Sequence, residues 1–125
     1  MQTAKIFLAL GGFNAMLAVL LGAFGAHGLK SRLAADMLTV FQTGVQYHFY
    51  HALGLILIGI IAMQISPGIW LKSSGWLMLS GIILFSGSLY ILSITGLRWL
   101  GMITPLGGIA FILAWLALFI GVIKQ

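Results

Sequence analysis

The sequence predicts an all-α integral membrane protein, a bundle of four transmembrane helices with an amphipathic interfacial segment between the first and the second. Three observations carry this. Of 125 residues, 62% are hydrophobic and 6% charged, and mean hydropathy is +1.18, too apolar for a domain with a water-facing surface. The apolar residues fall into four long runs separated by short polar or Pro/Gly stretches. No ten-residue alternating segments of the kind that build a barrel occur.

The first run is Ile6 to Ala26, "IFLALGGFNAMLAVLLGAFGA". At 1.5 Å per residue it is roughly 31 Å long, enough to cross a hydrocarbon core. Lys5 ahead of it also fits a signal peptide, but the run exceeds an h-region and no clean A-x-A site follows, so a retained helix is expected. The segment 31–46 is too polar to span. Its apolar residues Leu33, Met37, Leu38, Phe41 and Val45 recur at helical spacing, which predicts an interfacial helix running into the second span. That span covers about 47–63 and stops at Ser66-Pro67-Gly68. The third covers about 74–94 and ends at Gly96, a natural helix terminator, with Arg98 as a headgroup anchor. The fourth covers about 105–123, opening with Thr104 as a cap and Pro105 at the first helical position. The whole chain forms one domain, 1–125.

Small residues mark the packing faces. In the first helix Gly11, Ala15, Ala18, Gly22 and Gly25 recur at steps of 4, 3, 4 and 3, which keeps them on one face. The third helix repeats at seven through Ser74, Gly81, Ser88 and Thr95, and the fourth carries Ala110, Ala114, Ala117 and Gly121. Such seams let backbones approach closely where lipid removes the hydrophobic force between helices. They serve packing within the bundle and are compatible with a homo-oligomer. Asn14, beside the first seam, is expected to bond to a neighbouring helix.

Composition narrows the chemistry. There are six Lys or Arg, one acid (Asp36) and no cysteine. The basic residues stand singly at the ends of apolar runs, as lipid headgroup anchors do, with no basic–aromatic cluster to suggest nucleic acid. Disulfides, iron–sulfur clusters and thiol catalysis are excluded. Lys5, Lys72 and Lys124 share one membrane side and Lys30, Arg32 and Arg98 the other. This is a tie under the positive-inside rule, tipped by the terminal amine towards cytoplasmic termini.

The polar residues concentrate around "VQYHFYHALG", residues 45–54. At 100° per residue Asp36, Thr39, Thr43, Gln46, Tyr47 and Tyr50 form a stripe, with His51 at its edge and His48 about 60° further round. His27 lies at the exit of the first helix, at the same membrane surface. Three readings stand: an interfacial belt of Tyr and His, a metal or haem site on the histidines, and a polar pocket for a headgroup, small solute or proton. The candidate pocket comprises His27, Asp36, Thr43, Gln46, Tyr47, Tyr50 and His51. His51 is expected to point into the bundle towards the first helix, and His48 towards a more lipid-facing or interfacial side.

Three stretches, "GAFGAHGLKSRL", "FQTGVQYHFYHALGL" and "FSGSLYILSITG" followed by "ITPLGG", resemble in order and spacing the small membrane proteins of the family called domain of unknown function 423, related to transmembrane protein 256. The likeness covers nearly the whole chain. Its recurrent residues map onto Gly25, Ala26, His27, Gln42, Thr43, Tyr47, Tyr50 and His51, then onto Gly87, Ser88, Tyr90, Thr104, Pro105, Gly107 and Gly108. The family usually carries glutamine or another residue where His48 stands, which weakens a three-histidine metal site and leaves His27 and His51 as the better pair. The resemblance implies four helices, a bacterial cytoplasmic membrane location, support of envelope integrity and no reaction. The expectation is a non-enzymatic, multi-pass protein without metal or cofactor, whose partners are membrane lipids and not nucleic acid. The rival is a small transporter or a lipid- or solute-binding protein with its pocket at one leaflet.

Overall fold

A computed structural model describes all 125 residues. Four helices are long and apolar enough to cross a membrane: α1 (Gln2–Leu29), α2 (Ala35–Gln64), α3 (Ile69–Thr95) and α4 (Arg98–Ile123). The helices run beyond the apolar stretches. A backbone hydrogen-bond ladder persists into the polar ends, where water or headgroups satisfy the last carbonyls. The segment expected to lie helical from Ser31 begins instead at Ala35. Residues 31–34 are non-helical, and Ala34 takes the extended conformation of a cap (φ −61°, ψ 154°). From Ala35 the helix continues unbroken for 30 residues, about 45 Å, so its first turns outrun a hydrocarbon core of about 30 Å.

Two single-turn π segments interrupt the α geometry, Gly25–Leu29 at the end of α1 and Ile82–Ser86 within α3. Each inserts part of a residue into the helical repeat and shifts the phase of the residues after it. Gly96 ends α3 in the left-handed conformation (φ 74°, ψ 11°), its N–H bonded to the Leu92 carbonyl. An L side chain resists that conformation and glycine does not.

Thr104, the expected cap of α4, does not cap it. It is the first residue of the regular helix Thr104–Ile123, which has no side-chain cap. Its Oγ1 lies 2.6 Å from Ser88 Oγ and 3.4 Å from the Leu100 carbonyl. A short 3-10 turn, Arg98–Met102, leads into the helix. The Leu106 N–H bonds to the Ile103 carbonyl, so the backbone supplies the end that the threonine would have covered.

α1 lies along α2, and α3 along α4; α2 against α3 joins the two pairs. The small residues let these faces close. A Cβ on Gly11 would stand 2.9 Å from both the Ala52 carbonyl oxygen and the Ile56 nitrogen, and one on Gly107 would overlap the Phe85 backbone. Gly25 faces the Phe41 ring, Gly81 the Phe111 ring, and Gly121 the Trp70 Cβ. Ala18, Ala110, Ala114 and Ala117 are buried, while Ala15 and Gly22 are half-buried. Ser74, fully buried in α3, donates to the Ala114 carbonyl of α4 at 2.6 Å.

The apolar core gathers towards the chain termini, where Ala4 and Phe7 of α1 meet Leu55, Ile58 and Ala62 of α2, Leu71 and Met78 of α3, and Ala114 of α4. Phe7 packs edge-on against Trp76, centroids 5.3 Å apart. The N-terminal half of buried α2 is built differently and carries the polar interior.

Candidate functional site: a two-histidine interior

The buried face of α2 runs through Phe41, Gly44, His48, His51, Leu55, Ile58 and Ala62. The steps are 3, 4, 3, 4, 3 and 4, the coiled-coil seam. Successive seam positions lean to opposite sides, so His48 and His51 are both buried, 4% and 5% exposed, yet meet different helices.

His48 bridges α1 and α3. Its Nε2 lies 3.0 Å from Asn14 Oδ1 and its Nδ1 2.8 Å from the Tyr90 hydroxyl. Asn14 Nδ2 donates to the Leu10 carbonyl at 2.9 Å, which fixes the amide's orientation and leaves Oδ1 as an acceptor only. His48 therefore carries its proton on Nε2, and the neutral ring accepts from Tyr90 O–H at Nδ1. The chain of bonds runs Tyr90 to His48 to Asn14 to the α1 backbone. Gly44 makes room for it: the Tyr90 ring edge comes within 3.0 Å of where a Cβ would stand.

His51 faces α4. Its ring lies flat on Phe111, centroids 3.5 Å apart and planes 9° apart. Nδ1 is 2.7 Å from the Tyr47 carbonyl, and Nε2 accepts from the Trp115 indole N–H at 3.0 Å. A carbonyl only accepts and an indole N–H only donates, so His51 is the Nδ1–H tautomer. Two histidines one helical turn apart hold opposite tautomers, and all four ring nitrogens are engaged.

The expected orientations are corrected accordingly. His51 points into the bundle, but towards α4 and not α1. His48 is not lipid-facing or interfacial; it is the residue that reaches α1. The physical reason is that the polar stripe from Asp36 to Tyr50 faces outward, while the inward face follows the seam. Tyr47 and Tyr50 are 38% and 49% exposed; Tyr47 packs on Phe85, centroids 4.8 Å apart.

The seven residues singled out for a polar pocket fall in different places. His51 and Tyr47 belong to the α2–α4 contact. Gln46 Nε2 donates to the Tyr50 hydroxyl at 2.6 Å on the outer surface. Thr43 turns back to the Thr39 carbonyl, and Asp36 accepts from the Met37 N–H in the first turn of α2. His27 is exposed on the π turn. No three of His, Asp and Glu come together as a metal-holding group. Sequence reasoning passed over Trp115 and Phe111. Trp115 had one signal, an N–H in the middle of an apolar run that must find an acceptor.

Residues 21–108 match the family described as Protein of unknown function (DUF423). The chain is 53% identical over 120 residues to the UPF0382 membrane protein YwdK of Bacillus subtilis, covering 96% of this chain and 98% of the relative. It is 51% identical over 121 residues to a UPF0382 membrane protein of Staphylococcus saprophyticus, covering 96% and 98%. Against one from Staphylococcus epidermidis the identity is 47% over 121 residues, covering 96% and 97%. No solved structure matches the chain.

Proposed function

The chain belongs to the DUF423 family of membrane proteins, and from that premise we propose a non-enzymatic role in organising or stabilising a bacterial cytoplasmic membrane. One observation supports this above the others. The two buried imidazoles, His48 and His51, have every ring nitrogen committed to another part of the chain, and the third, His27, stands exposed on the π turn with no pair of His, Asp or Glu gathered about it. A general base or a metal ligand needs a free lone pair. Here the lone pairs and protons tie α1 to α2 to α3, and α2 to α4, where hydrogen bonds between helices help to hold a bundle in lipid.

The test is complementation in a bacterium lacking its own copy, with entry of a membrane-impermeant dye under osmotic stress as the readout. Wild type, His48→Gln and His51→Phe are compared, and the amount of folded protein is measured in the same membranes. The expectation is that protection follows the amount of folded bundle. A variant that folds to wild-type level and gives no protection would show that an imidazole acts on something outside the chain, and the non-enzymatic reading would fall.

A further inference from the structure

We propose that the outer groove between α1 and α2 binds one anionic phospholipid from the leaflet that meets the α1–α2 connection. This adds a ligand to the non-enzymatic reading and does not depend on the histidine interior. The groove has a volume of about 590 Å³, within the range of about 300–1,000 Å³ typical of small-molecule sites. Its walls are Ala18, Val19, Gly22 and Ala23 of α1 and Val45 and Phe49 of α2. The seam loosens here. A Cβ on Gly22 would meet only Val45 Cγ1, at 3.2 Å, whereas one on Gly11 would meet backbone at 2.9 Å. The helices therefore touch closely at one end of α1 and leave a hollow towards the other.

The polarity of the hollow is graded. Towards the α1–α2 connection it opens into a second depression that includes Gln42, Gln46 and Gly25. Tyr50 accepts from Gln46, so its own proton is left to donate outward. Beyond this end lies the connection, with exposed Lys30 and Arg32. The site thus offers an apolar slot, then hydroxyl and amide donors, then a connection where Lys30 and Arg32 outnumber the one carboxylate of Asp36 and leave net positive charge. That order matches an acyl chain, an ester and phosphate region, and an anionic headgroup set along the membrane normal. A second copy of this chain fits less well. With one acid against six Lys or Arg, it brings positive charge to a positive mouth and little to receive the donors.

The test uses the full chain in a neutral detergent, with phosphatidylglycerol and phosphatidylcholine of the same acyl chains as probes and bound lipid counted by native mass spectrometry. Wild type is expected to retain one phosphatidylglycerol per chain. Each basic residue near an anionic surface is worth roughly fivefold, so preference over phosphatidylcholine is expected on the order of twentyfold. Lys30→Gln combined with Arg32→Gln should erase the preference and keep weak binding of both lipids. Val19→Phe, and separately Ala23→Phe, should lose both lipids by filling the slot from its exposed rim. Ile109→Phe on the outer face of α4 should retain lipid as wild type does, and circular dichroism melts identify any variant that has unfolded. Equal retention of the two lipids by wild type, or undiminished phosphatidylglycerol on folded Val19→Phe and Ala23→Phe, would overturn the proposal. So would a two-chain species without lipid that Val19→Phe disperses, which would assign the groove to a second copy. None of these outcomes bears on dye entry in cells, so failure here and failure of the stabilising role are read separately.

Discussion

His48 reaches Asn14 across the first helix pair with Nε2 and Oδ1 3.0 Å apart, both residues buried. This bond joins an imidazole and an amide in the one region where α1 and α2 meet through polar groups and not through glycine and alanine. Removing one partner strands the other, and removing both does not. Asn14→Leu is expected to cost about 1–2 kcal/mol by leaving the His48 N–H without an acceptor. In the double variant with His48→Phe the combined loss should fall short of the sum of the two single losses by about 0.6 kcal/mol and at most about 1.7, the average and the maximum for interhelical bonds in membranes. Reversible unfolding in mixed micelles measures all three, and strict additivity would mean that the bond contributes nothing.

Opposite tautomers give a spectroscopic signature. In protein labelled with ¹⁵N-histidine, His48 should show its proton on Nε2 and His51 on Nδ1, while exposed His27 exchanges with solvent. The Trp115 indole N–H, held by His51 Nε2 although the residue is 40% exposed, should exchange more slowly than that of Trp99, which stands 58% exposed at the start of α4. Finding both buried rings in one tautomer would contradict the bonding scheme.

Glycine substitutions separate contact from mere proximity. Gly11→Ala and Gly107→Ala each drive a methyl group into a neighbouring backbone and should cost about 1–3 kcal/mol. Gly12→Ala meets nothing within 4 Å, so it should be neutral or slightly stabilising through helix propensity. Thermal melts in detergent that rank the three alike would misplace the packing face.

Ser86 presents the opposite case. Its hydroxyl is fully buried within the π turn and has no hydrogen-bond partner. Ser86→Ala removes an unsatisfied polar group at almost no change in volume, so a gain of about 1 kcal/mol is expected. A clear loss of stability would instead place an ordered water on that hydroxyl.

Much of the fold is legible in the sequence alone, because it rests on local rules. Sixty-two per cent apolar residues choose lipid as the solvent, and in lipid each backbone N–H must find its carbonyl within a helix. Gly96 needs only its own φ to end α3. Small residues at steps of three and four mark a close face whichever helix answers it. The tertiary structure decided what the polar side chains do, because their partners lie far along the chain. Asn14 is 34 residues from His48, Tyr90 is 42, and Trp115 is 64 from His51. Helical phase placed His48 on the wrong side because the visible polar stripe of α2 turns outward, and the inward seam sets both histidines in succession between Gly44 and Leu55. Thr104 likewise had a local role available as a cap, and Ser88, 16 residues away, took its hydroxyl instead. A short helix end can be satisfied by a 3-10 turn, whereas the partner of an interior hydroxyl is set by what the packing brings beside it, Ser88 for Thr104 and none for Ser86.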